Sequence, residues 1–127
     1  MENLALYAEL LEASSNANKA FIKSEMALND GNVEDCQKFS KEGQVLVRAL
    51  MKDTFIEIEE LGENDGSTND YDYPNNFELI KSLNEIAVNV GSLIASIDDE
   101  NVTKICLPSL FKAINTTKEI YSALFEN

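Results

Sequence analysis

The stretch Leu79-Ile80-Lys81-Ser82-Leu83-Asn84-Glu85-Ile86-Ala87-Val88-Asn89-Val90-Gly91-Ser92-Leu93-Ile94-Ala95-Ser96-Ile97 decides the fold class. Leu79, Leu83, Ile86, Val90, Leu93 and Ile97 recur in steps of three and four, the spacing that stacks side chains on one face of an α-helix. Ile80, Ala87 and Ile94 widen that face, so this helix belongs at the centre of a core.

The same period continues on both sides. Downstream, Asp98-Asp99-Glu100-Asn101 interrupts it with residues whose side chains compete for backbone hydrogen bonds and cap helices. A last helical face follows in Leu107, Leu110, Ile114, Thr117, Tyr121 and Leu124, with Phe111 and Ile120 alongside. Pro108 fits a first turn and not a helix interior, so residues 102–106 read as a separate short turn or the near side of a kink.

Upstream, a second helix is expected from Val33 to about Leu61. It opens with Glu34 and Asp35, where the positive helix end favours acids, and closes at Gly62. Its core face would carry Val33, Cys36, Phe39, Gly43, Leu46, Val47, Leu50, Thr54, Ile58 and Leu61, and Gly43 inside it suggests close contact with another helix. The first helix spans Leu4 to Leu28, with Leu6, Leu10, Ala13, Ala17, Ala20, Ser24 and Ala27 as its stripe and Leu11, Phe21 and Leu28 beside it. Asn29-Asp30-Gly31-Asn32 turns the chain between these two. The expected fold is all-α: one domain over residues 1–127, an antiparallel up-down four-helix bundle with a long acidic loop between helices two and three. A helical hairpin that pairs with another copy is the competing architecture.

That loop, about 63–76, is without period and dense in turn formers, so it reads as a mobile connection. From Asp53 to Glu78 there is no lysine or arginine. Asp65, Ser67, Asn69 and Tyr71 place alternating oxygens as a calcium loop does, but Asn76 stands where the bidentate glutamate belongs and the glycine is misplaced. No metal is expected there. Tyr71 and Tyr73 among the acids are candidate aromatic anchors for a basic partner. The second candidate is the small-residue strip Ala13, Ala17, Ala20 and Ser24, either a groove for a guest helix or a close-packed seam.

The 127 residues are 44% hydrophobic, an ordinary globular value, while 23 acids against 10 bases give a net charge of −13. That balance argues against nucleic acid or an anionic membrane as partner, since both reward basic contacts. No apolar run approaches the ~20 residues of a membrane helix. Met1-Glu2 opens no signal peptide, so a cytoplasmic location is expected. Cys36 and Cys106 read as core thiols. Asn101-Val102-Thr103 and Asn115-Thr116-Thr117 match the glycosylation pattern, which means nothing without secretion.

Histidine is absent, which removes imidazole bases, Ser-His and Cys-His nucleophiles and the Glu-x-x-His ligands of a di-metal bundle. There is no phosphate-binding glycine loop, and Glu59-Glu60 sits at a polar helix end beside a loop rather than in an apolar pocket. A non-enzymatic domain without cofactor is expected.

The order of elements resembles the flagellin-export chaperone family FliS. The resemblance rests on Leu6-Tyr7, the Ala27-Leu28-x-x-Gly31-Asn32 break, a Lys-x-x-x-Leu-Val-x-x-Leu-like spacing through helix two, Leu83-Asn84-Glu85-Ile86 and the polar Asp98 to Asn101 turn. It departs from the family in a longer first helix, an oversized loop, and the lack of a tryptophan near the end and of a Ser-Pro before helix one. It implies a cytoplasmic chaperone-like bundle that binds a helical segment of a secretion substrate. The composition suits a different class: a small acidic inhibitor or immunity-type protein filling a basic groove, with salt-sensitive encounter. Either way the partner is another protein, helical or basic, and a homodimer is open.

Overall fold

The computed structural model describes residues 3–126, and among them every regular element is helical. Met1 and Glu2, on which the leader reading rests, lie outside the described residues. The elements are α1 (Leu4–Asn29), α2 (Val33–Ala49), a π-helical segment (Leu50–Thr54) that runs into α3 (Phe55–Glu59), α4 (Asn76–Ala95) and α5 (Glu100–Phe125). With α2, the π segment and α3 taken as one rod, four long helical pieces build the domain. None is long and apolar enough to cross a membrane.

Side-chain chemistry sets three helix starts, two of them, at Asn32 and within Asp98–Asn101, where the sequence suggested. Gly31 takes a left-handed φ of 77°, and Asn32 then caps α2 by accepting from the Asp35 amide at 3.0 Å. Asn75 caps α4 through the Glu78 amide at 2.9 Å, and Asp99 caps α5 through the Asn101 amide at 3.0 Å. Each cap satisfies a donor that the first turn leaves without a partner.

α1 packs along α2 and α4, and α4 packs along α5. The α4 seam is as the spacing predicts: Leu79, Leu83, Ile86, Val90 and Leu93 are wholly buried, with Ile97 half-buried at the end. Ser82 shares that face, and its hydroxyl lies 2.8 Å from that of Thr117 on α5. Where α1 meets α2, a Cβ on Gly43 would stand 2.7 Å from two Phe21 ring carbons, so the close helix contact expected of Gly43 is present. Ser24 donates to the Cys36 carbonyl at 2.8 Å in the same contact. Asn18 ties α1 to α4 through the Ile80 carbonyl at 2.8 Å. The Phe21 ring stacks on Phe125 at 6.0 Å, bringing the end of α5 against α1.

Several positions differ from the sequence reading. Val33 and Leu28 are more than half exposed and half exposed, because each sits at the turn end of its helix, beyond the neighbour's reach. Tyr7, Ser14 and Phe55 are buried although the periodic stripe passed over them. The expected uninterrupted second helix contains a π segment, in which Phe55 N–H donates to the Leu50 carbonyl five residues back. That extra residue per turn lets the adjacent Thr54 and Phe55 both face inward. Pro108 ends nothing: α5 runs continuously through it. The carbonyl that loses its donor belongs to Lys104, in a turn whose exposure leaves it open to solvent. Both cysteines are free and half-buried.

Candidate functional site

The segment joining α3 to α4 has neither helix nor strand, but it has fixed partners, and these come from α5 and α4. Two local turns shape it. Asn64 Oδ1 accepts from the Gly66 amide at 2.9 Å, with Gly66 at φ 76°, and Asp65 Oδ1 accepts from the Ser67 amide and hydroxyl at 2.8 and 2.7 Å. Those Ser67 donors, the amide first, hold the exposed Asp65 carboxyl below its usual pKa.

Asn115, buried on α5, then clamps the turn. Its amide donates to Asn64 Oδ1 at 2.7 Å and the Ser67 carbonyl at 3.0 Å, and accepts from Asn64 Nδ2 at 3.1 Å. One turn along, the Asn69 amide donates to Thr116 Oγ1 at 2.6 Å, and Asn69 Nδ2 donates to Glu85 of α4. Tyr71 packs its ring on the core and donates its phenol to Glu119 at 3.3 Å. Burial, and then the Glu119 charge, push that phenol's pKa up. The expectation of a mobile connection thus meets an irregular segment tied down at Asn64, Ser67, Asn69 and Tyr71.

What this tethering leaves outward is aromatic and acidic. Tyr73 and Phe77 are each 66% exposed, before and after the Asn75 cap, with Asp70 and Asp72 exposed and Glu78 half-buried around them. Among the described residues the one ion pair joins Lys118 to Glu59 at 2.7 Å, so the other acids of this face keep their charge unpaired by a base. Tyr71 and Tyr73, taken together from sequence, therefore part company: one is docked inward and one is presented.

The small-residue strip also resolves into parts. Ala17 and Ser24 are wholly buried, Ala20 nearly so, and Ala13 packs half-buried against the core. As a candidate groove this strip is corrected to a packed seam, since α2 and α4 already occupy the space that small side chains leave. In the calcium-like spacing Asp65 bonds Ser67 locally and Tyr71 bonds Glu119, and among the described residues no group of three or more histidine, cysteine, aspartate or glutamate side chains is placed to hold a metal ion. Asn115, in the second glycosylation-like triplet, is buried and hydrogen-bonded.

Sequence reading missed Asn115, Thr116 and Phe77. The first two are polar residues inside an apolar run, which a periodicity argument assigns to solvent. They stand three or four residues from exposed Lys112 and Glu119, on the same side of α5, so spacing carries no signal that they are buried. A shallow hollow of mixed polarity lies between Lys23, Met26, Asp35 and Phe39 at the α1–α2 turn, with Lys23 and Lys38 each 5.7 Å from the Phe39 ring centroid.

Comparison with protein-family models, with curated proteins and with solved structures finds no match to this chain. What the fold and surface define is an all-helical acidic domain with a tethered aromatic face.

Proposed function

We propose that this chain is a non-catalytic protein-binding domain of the cytoplasm, built as a four-helix bundle, that engages a basic partner through Tyr73 and Phe77. The contacts set the helix directions: on α1 and α2, Ser24 meets Cys36 while Phe21 meets Gly43, and on α1 and α4, Asn18 meets Ile80 while Glu25 meets Asn76. In both pairs one number rises as the other falls, so α2 and α4 both run against α1 and parallel to each other, which corrects the expected up-down order, in which the first and third long helices run the same way. The observation that carries the binding reading is the exposure of two aromatic rings, Tyr73 on the tethered, base-free acidic segment and Phe77 in the first turn of α4. Aromatic side chains anchor interfaces at low entropic cost, and a backbone already held in place loses little freedom on binding. Surrounding carboxylates attract a cationic partner and hasten encounter. This is the acidic-inhibitor class of partner. The rival, a chaperone-like bundle holding a helical secretion segment, requires an open apolar groove and predicts binding insensitive to salt.

The test uses a Lys/Arg-rich helical peptide titrated into isotope-labelled full chain, with amide shifts mapped by NMR. Saturable shifts centred on Tyr73 and Phe77, weakened about tenfold or more in Tyr73→Ala/Phe77→Ala and weakened by salt, are expected. Shifts spread over the surface without saturation, or unchanged affinity in the double variant, overturn the proposal.

A further inference from the structure

The outer face of the α2–α3 rod divides by charge. Lys38, Lys41, Val45, Arg48, Lys52 and Ile56 follow one another in steps of three and four and are all exposed, Val45 by 57% and Ile56 by 50%. They lie opposite Gly43, Val47, Leu50, Phe55 and Ile58, which are buried. Four of the chain's ten basic residues stand on this face, none within ion-pair distance of a carboxylate among the described residues. Toward the far end of the rod the exposed charges are acidic instead: Asp53 and Glu57, then Glu60 at the C-cap of α3, with Glu63 in the irregular chain just beyond it. In a chain of net charge −13 the four bases stand out, with Glu42 the one exposed acid among them.

We infer that this face docks a second copy of the chain, antiparallel, about a two-fold axis near Arg48 and Lys52. A face that is basic at one end and acidic at the other is complementary to itself when reversed, which is the requirement of an isologous contact. The register is specific. Placing Val45 of one copy against Ile56 of the other brings Lys41 opposite Glu60 and Arg48 opposite Asp53, each twice, and leaves Lys38 toward the chain that follows Glu60 in the other copy. Lys52 sits beside the axis between its own Asp53 and that of the other copy. The contact from Lys38 to Glu60 is about 33 Å long at 1.5 Å per residue, a two-helix patch at the small end of specific interfaces, so the dimer is weak. The inference is independent of the Tyr73 face, which this contact leaves free.

Salt acts in two ways. At about 0.15 M the Debye length is about 8 Å, which screens the overall repulsion between two acidic copies while facing pairs still attract, and at about 1 M it shortens to about 3 Å. Sedimentation of the full chain at high micromolar concentration is expected to show a reversible dimer at the lower salt and monomer at the higher. Lys38→Glu/Lys41→Glu and Glu60→Lys/Glu63→Lys, all at exposed positions, each abolish the dimer alone, because like charges then face each other at both ends. Mixed together the two variants restore it as a heterodimer, since both sets of facing pairs become opposite again. Circular dichroism of each variant shows that the fold is kept. A parent that stays monomeric, a dimer indifferent to both variants, or a mixture that stays monomeric overturns the inference.

Discussion

Gly43→Ala adds one methyl group at the closest approach of α1 and α2. Its Cβ would stand 2.7 Å from Phe21 Cε2 and Cζ and 2.9 Å from Cδ2. Carbon atoms pack at about 3.5–4.0 Å, so the ring or the helices must shift by close to 1 Å. The ring has little room: Phe21 is wholly buried and stacks on Phe125, which in turn meets Tyr121 at 5.2 Å. Alanine is worth about 1 kcal/mol over glycine inside a helix, and overpacking costs about 1–3 kcal/mol. The clash wins, leaving a net loss of up to about 2 kcal/mol in urea unfolding at unchanged m-value. Phe21→Leu in the same background should recover part of the loss, giving a favourable coupling in the double-mutant cycle. A Gly43→Ala protein about 1 kcal/mol more stable than the parent would refute the contact, because propensity alone would then be operating.

Ala17→Leu, at a wholly buried site, should cost about 1–3 kcal/mol in the same unfolding assay; unchanged stability would reopen the strip as a groove. Asn115→Ala strips the clamp from Asn64 and Ser67 and should cost about 1–3 kcal/mol, with faster proteolysis confined to residues 63–70; a uniform change in cleavage would contradict the clamp. Tyr7 is raised above the phenol value of 10.0 chiefly by burial, so the fold favours its protonated form. Its contribution is full below pH 10.0 and is lost as pH rises through the higher folded value, so alkaline melts of Tyr7→Phe should fall less steeply than those of the parent.

The sequence made the helices legible where one apolar stripe faces one neighbour, as from Leu79 to Leu93. It failed where a second influence acts. At Val33 and Leu28 the period continues past the end of the partner helix, and periodicity carries no information about where a neighbour stops. At Thr54 and Phe55 a π turn changes the period itself, leaving two adjacent inward residues that a steady spacing reads as one. Pro108 in a helical pattern points to a separate short turn or a kink, because proline suits a first turn and not a helix interior, and α5 instead carries it through a turn that is exposed. At the candidate site, the acidity and Tyr73 were readable from composition. The tether was not, because Asn115 and Thr116 are buried by an irregular segment whose course no period encodes.

The tethered segment is the basis of the functional reading, and the Asn69 amide tests it most directly, since its one partner is the Thr116 hydroxyl across the tether at 2.6 Å. Backbone hydrogen exchange of the full chain, read residue by residue, should show Asn69 exchanging markedly more slowly than Asp70 and Asp72, and Thr116→Val should abolish that protection while the α4 amides stay slow. Exchange of Asn69 at the rate of an unstructured chain in the parent protein would contradict the account.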